Sequence, residues 1–136
     1  NGMGVLNKRT DVGRILKLLR EGEAVGFLLD QNTAEKDSVF VDFFGREAAT
    51  PKGPAILALR SDATVLPVFM IREPHGHRMV IEKPIPIIRT GTASDDIVRL
   101  TAQFTQAIES VVTRYPDQWL WFHRRWKTQR AKGPHG

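Results

Sequence analysis

The apolar residues of this 136-residue chain change their spacing along its length, and that switch limits the possible folds more than any other feature. Val12, Ile15, Leu16 and Leu19 recur at helical spacing, as do Ile97, Leu100, Phe104, Ala107, Ile108 and Val111. Between these stretches lie short continuous apolar runs: Ala24-Val-Gly-Phe-Leu-Leu29, Val39-Phe-Val-Asp-Phe-Phe44 and Val65-Leu-Pro-Val-Phe-Met-Ile71. Runs of that length suit strands. The order helix, strand, strand, helix, strand, strand, helix predicts an α/β domain of layered sheet and helices. The chain has no cysteine, so no disulfide or thiolate–metal site can take the place of a packed core.

Punctuation refines the reading. Thr10 and Asp11 read as a helix cap and Gly22 as its stop. The run at 24–29 is expected to be a strand buried on both faces of a parallel sheet, ending at Asp30-Gln31-Asn32. Gly45 ends the second strand, and Thr50-Pro51 is expected to open a helix reaching about residue 61. Pro67 marks the third strand as an edge or a bulge, and residues 78–82 add a further strand with its exit at Pro84 and Pro86. Ser94 is expected to cap a long helix carrying Asp95 and Asp96 in its first turn, where the helix dipole favours acids. Pro116 ends that helix, a short aromatic helix is expected to follow, and residues 131–136 read as a loose tail.

Charge is distributed unevenly. Residues 121–132 hold five Arg or Lys and no acid; the rest of the chain has 15 bases and 15 acids, so the whole net +5 falls in this one stripe. Trp121 and Trp126 stud it, and Trp119 stands just before it. Exposed tryptophan is costly and typical of interfaces, so the stripe asks for an anionic, partly apolar partner: a lipid head group or a nucleic acid. A nucleic acid fits less well, because the balanced charge elsewhere offers no extended positive groove. The structural alternative is that Trp119 and Trp126 pack in the core and the arginines pair with acids.

Three further positions could carry chemistry. Asp30 follows the carboxyl end of an expected buried strand, where α/β folds place functional groups, although aspartate also caps turns. Lys52 lies at an expected helix start, a natural anion site or simply an ordinary capped end. His77 and Glu82 match a His-x-x-x-x-Asp/Glu pattern, a base–carboxylate arrangement in acyl transfer. On a strand, however, positions five apart face opposite sides, so this pair is rejected as a dyad.

Taken in order, Asp30-Gln31, Val39-Phe-Val-Asp-Phe-Phe-Gly-Arg-Glu-Ala-Ala-Thr-Pro-Lys-Gly-Pro54, Leu57-Ala-Leu-Arg60, Val65-Leu-Pro-Val68 and Gln118-Trp-Leu-Trp-Phe-His-Arg-Arg-Trp-Lys127 resemble the C-terminal half of the bacterial lipid A biosynthesis late acyltransferases, the lauroyl/myristoyl transferase family. The resemblance covers essentially the whole chain. It implies the C-terminal part of a glycerophosphate-acyltransferase-like layered sheet flanked by helices, occupying residues 1–130.

The activity implied is transfer of a fatty acyl chain from acyl carrier protein to a hydroxyl of the Kdo-bearing lipid A precursor, at the cytoplasmic face of the inner membrane and without a cofactor or metal. A histidine in His-x-x-x-x-Asp/Glu deprotonates the acceptor in that family. Only 29 residues precede Asp30 here and none is histidine, so the chain is expected to be a soluble fragment without its base and without the membrane-anchoring helix, inactive alone. By the same resemblance Asp30 matches an active-site acid. Arg46, Lys52, His123, Arg124, Arg125 and Lys127 are the expected contacts to an anionic glycolipid acceptor. Two other functions stay open: acylation of phosphatidylinositol mannoside, or a non-enzymatic basic module for anionic lipid or nucleic acid.

Overall fold

The computed structural model describes residues 4–7 and 10–131, and the expected loose tail beyond Ala131 lies outside the described residues. Three helices and two small antiparallel sheets make a mixed α/β architecture. In chain order the elements are α1 (Val12–Arg20), β1 (Ser38–Phe43), β2 (Arg46–Pro51), α2 (Gly53–Ser61), β3 (Val68–Glu73), β4 (Gly76–Ile81) and α3 (Ala93–Arg114). Single 3-10 turns occupy Glu35–Asp37 and Pro116–Gln118. Among the described residues no helix is long and apolar enough to cross a membrane.

Helix α2 is the centre of the packing. Ala55 and Ala58 on one side meet Leu100 and Phe104 of α3, with Leu29, Val65 and Ile85 closing around them. Leu57, on the other side, meets Ile15 and Leu16 of α1. Small residues at 55 and 58 permit a close approach of α3, while Leu57 supplies the bulk on the α1 side. The long helix buries Leu100, Phe104 and Val111, half of the stripe that its periodicity predicts, together with Val112, which lies outside that stripe. Ile97, Ala107 and Ile108 are only partly buried, and the helix also packs on β1.

Three expectations need correction. Residues 24–29 form no strand: Leu28 is 94 % exposed, and only Val25 and Leu29 of the run touch the core clusters. A strand buried on both faces needs a neighbour on each side, and each of the four strands here pairs only within its own hairpin. Thr50 and Pro51 end β2 instead of opening α2, which starts two residues later with Pro54 in its first turn. A missing N–H costs nothing at that place either. Finally, residues 119–131 form turns, not an aromatic helix.

The long helix begins at Ala93, with Ser94 inside its first turn and no side-chain cap. Asp96 performs the anchoring instead. Its buried carboxylate accepts from Thr90 N at 3.0 Å, Thr90 Oγ1 at 2.7 Å and Arg99 Nη2 at 2.6 Å.

Strands β1 and β2 are joined by Phe44 and Gly45, both left-handed (φ 54° and 74°), the two-residue turn whose twist suits a hairpin. A phenylalanine is strained there. Two contacts hold it: Phe44 N donates to Glu109 Oε2 on α3 at 2.9 Å, and its ring stands edge-on to Phe43 at 4.8 Å. In the second hairpin, Val68 and Met70 face Ile81 and Met79 across the strands, and all four are more than half exposed.

Candidate functional site

The β1–β2 hairpin presents Phe43, only 1 % exposed, as the seat for the C-terminal stripe. The rings of Trp119 and Trp126 both lie 5.6 Å from it. Arg125 follows them inward and is 2 % exposed. Its guanidinium sits 5.4 Å over Phe43 and donates to the Ala49 carbonyl at 2.9 Å and to Thr50 Oγ1 at 2.5 Å. A planar fork with several donors can satisfy two acceptors and stack at once, which a lysine cannot. Burial pushes the Arg125 guanidinium below its ordinary pKa, and the nearby Asp30 carboxylate pulls it partly back.

The Asp30 corner also binds the stripe. Asn32 N donates to His123 Nε2 at 2.9 Å, so that Nε2 serves as the acceptor nitrogen of the ring. The Asn32 amide then pairs with Thr128 twice: Nδ2 donates to Thr128 Oγ1 at 3.0 Å, and Thr128 N donates to Oδ1 at 3.1 Å. The stripe is thus held between the hairpin and residues 30–32. Asp30 itself is half-buried, and among the described residues its carboxylate accepts no hydrogen bond. The turn-capping role that its position suggests is not exercised.

Of the remaining expected contacts, Arg124 and Lys127 are exposed, and their side chains have no partner among the described residues. Arg46 is exposed and stacks on Trp126 at 5.1 Å. Lys52 turns back, its Nζ donating to the Lys36 carbonyl at 2.9 Å. Arg46, Trp126, Phe40, Glu47, Gln129 and Arg130 line a depression of about 340 Å³. Arg130 stacks on Phe40 and pairs with Glu47 at 3.0 Å. The buried Trp126 Nε1 has no hydrogen-bond partner among the described residues. No group of three His, Asp or Glu side chains able to hold a metal is found among the described residues.

His77 and Glu82 are not brought together as a dyad. His77 lies opposite Arg72 on the second hairpin, and Glu82 is ion-paired with Arg114 at the end of α3. The sequence reading overlooked Asn32 and Thr128. The available hint was two short polar side chains, one just past the Asp30 corner and one just past the basic stripe.

Residues 1–128 match the family model described as bacterial lipid A biosynthesis acyltransferase. The chain belongs to this family. It is 36 % identical over 124 residues to the lipid A biosynthesis palmitoleoyltransferase of Escherichia coli K12, covering 89 % of this chain and 39 % of that protein. Identity to the lauroyltransferase of the same organism is 32 % over 124 residues, with the same coverages. A phosphatidylinositol mannoside acyltransferase of Mycolicibacterium smegmatis is 27 % identical over 99 residues, covering 73 % of this chain and 31 % of that protein. The chain therefore spans about two fifths of the lipid A acyltransferases it matches. Within the family region, Asp30, Asn32 and residues 119–128 form one connected assembly with the β1–β2 hairpin.

Proposed function

We propose that this chain supplies the acceptor-facing part of a lipid A acyltransferase, which moves a fatty acyl group from an acyl-carrier-protein thioester to a hydroxyl of a lipid A precursor at the cytoplasmic face of the inner membrane. The observation that carries the reading is a half-buried Asp30 carboxylate, free of hydrogen bonds among the described residues and within electrostatic reach of the Arg125 guanidinium, in a chain matching the family over 128 positions. In the reaction a base removes the acceptor's proton, the resulting oxygen attacks the thioester carbonyl, and the carrier thiolate leaves. The base in this proposal is a histidine supplied by sequence outside these 136 residues. Asp30 is the supporting acid, and the exposed Arg124, Lys127 and Arg46 meet anionic groups of the acceptor.

The test is acyl transfer by a polypeptide of the relatives' full length that carries this chain. Asp30→Asn is expected to lower turnover by on the order of 10² or more, the usual scale for a misplaced acid–base group. Unchanged turnover removes Asp30 from the chemistry. Offering phosphatidylinositol mannoside as acceptor decides between the two acceptor classes. The 136-residue chain alone is expected to be inactive, and turnover by it that vanishes in His77→Ala would restore the His77/Glu82 pair.

A further inference from the structure

An aspartate at the start of a tight corner ordinarily accepts the main-chain N–H two residues later, closing a small ring. Two residues after Asp30 stands Asn32, and its N–H is given to His123 Nε2, 91 positions away in sequence. The Asn32 side chain is equally committed, exchanging two hydrogen bonds with Thr128. The corner is therefore capped entirely from the C-terminal stripe. What remains to the Asp30 carboxylate is the field of the buried Arg125 guanidinium.

We propose that His123 is a positioning residue that takes over the capping of this corner, and thereby keeps the Asp30 carboxylate uncommitted and available to the reacting groups. The proposal rests on the reading of Asp30 given above and assigns His123 a different task from acceptor binding. Histidine suits the task because a neutral imidazole offers one acceptor nitrogen at the end of a stiff arm, whereas the neighbouring Arg124, Arg125 and Lys127 are donors only. Without that acceptor, the Asn32 N–H has a ready replacement in the Asp30 carboxylate itself. Accepting it would commit the acid to its own turn.

Four measurements test this. In the ¹⁵N-labelled wild-type full-length enzyme, a coupling across the hydrogen bond between Asn32 N and His123 Nε2 is expected, and its absence overturns the proposal without any variant. In the full-length enzyme, His123→Ala is expected to lower kcat on the order of 10- to 100-fold, the scale of a small misplacement of a reacting group. The acceptor KM should stay within about twofold, as when only transition-state interactions are lost. His123→Gln, whose amide oxygen can stand where Nε2 stood, is expected to recover most of the loss, as a merely space-filling role would not require. On the Asp30→Asn background, His123→Ala is expected to cost less than about twofold more, because the two act as one unit. An equal cost on both backgrounds, a rise in KM alone, or no rescue by glutamine overturns the proposal. Full activity of Asp30→Asn by itself instead overturns the reading of Asp30, and the coupling measurement still reports on the cap.

Discussion

Arg125 donates to the Thr50 hydroxyl at 2.5 Å across 75 residues of sequence, and so joins the C-terminal stripe to the end of β2, just before α2. The contact is buried, and the Thr50 hydroxyl in turn donates to the Ala48 carbonyl at 3.1 Å. Within one stripe, then, neighbouring arginines have opposite situations: Arg125 is interior and Arg124 is exposed.

That contrast makes the first prediction. Arg125→Met should destabilise the fold by about 2–4 kcal/mol, because it leaves the Ala49 carbonyl and the Thr50 hydroxyl without their donor in a buried site. Arg124→Lys should stay within about 0.5 kcal/mol of wild type, as exposed substitutions do. Denaturant melts of the two variants check it; equal losses would mean that the burial difference carries no energy.

Arg124 and Lys127 should instead be seen in acceptor binding. Arg124→Gln and Lys127→Gln in the full-length enzyme are expected to raise the acceptor KM while leaving Tm unchanged. The effect should shrink as salt is raised from 0.05 to about 0.5 M, because exposed charge contacts are screened. Wild-type KM values in both variants would leave the stripe without a role at the surface.

Phe43 touches Phe44, Trp119 and Trp126 and lies under the Arg125 guanidinium. Phe43→Ala should cost about 3–5 kcal/mol, the range for a large ring removed from a packed site. Phe43→Leu should cost distinctly less. Loss of tryptophan fluorescence shift in the alanine variant before global unfolding would report release of the stripe from the hairpin.

Stability at low pH should depend on Asp96. The Thr90 hydroxyl is the largest influence holding its carboxyl below the ordinary value; burial opposes it, while the Thr90 N–H and Arg99 reinforce it. A carboxyl depressed in the folded state stabilises above its unfolded value of about 4 and loses that contribution as the pH falls through the folded value. Acid unfolding of Asp96→Asn should therefore show a shallower slope below about pH 4 than the wild type. An identical slope in both proteins would refute the assignment.

The helices were legible because their periodicity is local: Leu100, Phe104 and Val111 are buried where spacing alone puts them. The run at 24–29 misled because composition reports that a segment wants burial, not whether neighbours exist to bury it. β2 was missed for the opposite reason. Arg46-Glu-Ala-Ala-Thr-Pro51 has little strand propensity, and its pairing comes from the two-residue Phe44-Gly45 turn and the register it sets on β1. The tryptophans were read correctly as a cluster, but a sequence does not show which guanidinium points inward. Asn32 and Thr128 show in the sequence only as two short polar side chains near the corner and the stripe, and their pairing cannot be read from it, since each has meaning only against a residue 96 positions away.

That separation bears on how the molecule is made. Residues 30–32 and the hairpin are synthesised before residues 123–128 exist, so the nascent chain carries an uncovered Phe43 ring and an unclaimed Asn32 amide until the stripe is made. Closing a loop of this size costs entropy that only the finished set of contacts returns, and contacts so remote in sequence form slowly. Within these residues the corner bearing Asp30 therefore acquires its full set of hydrogen bonds only once the stripe has docked on it.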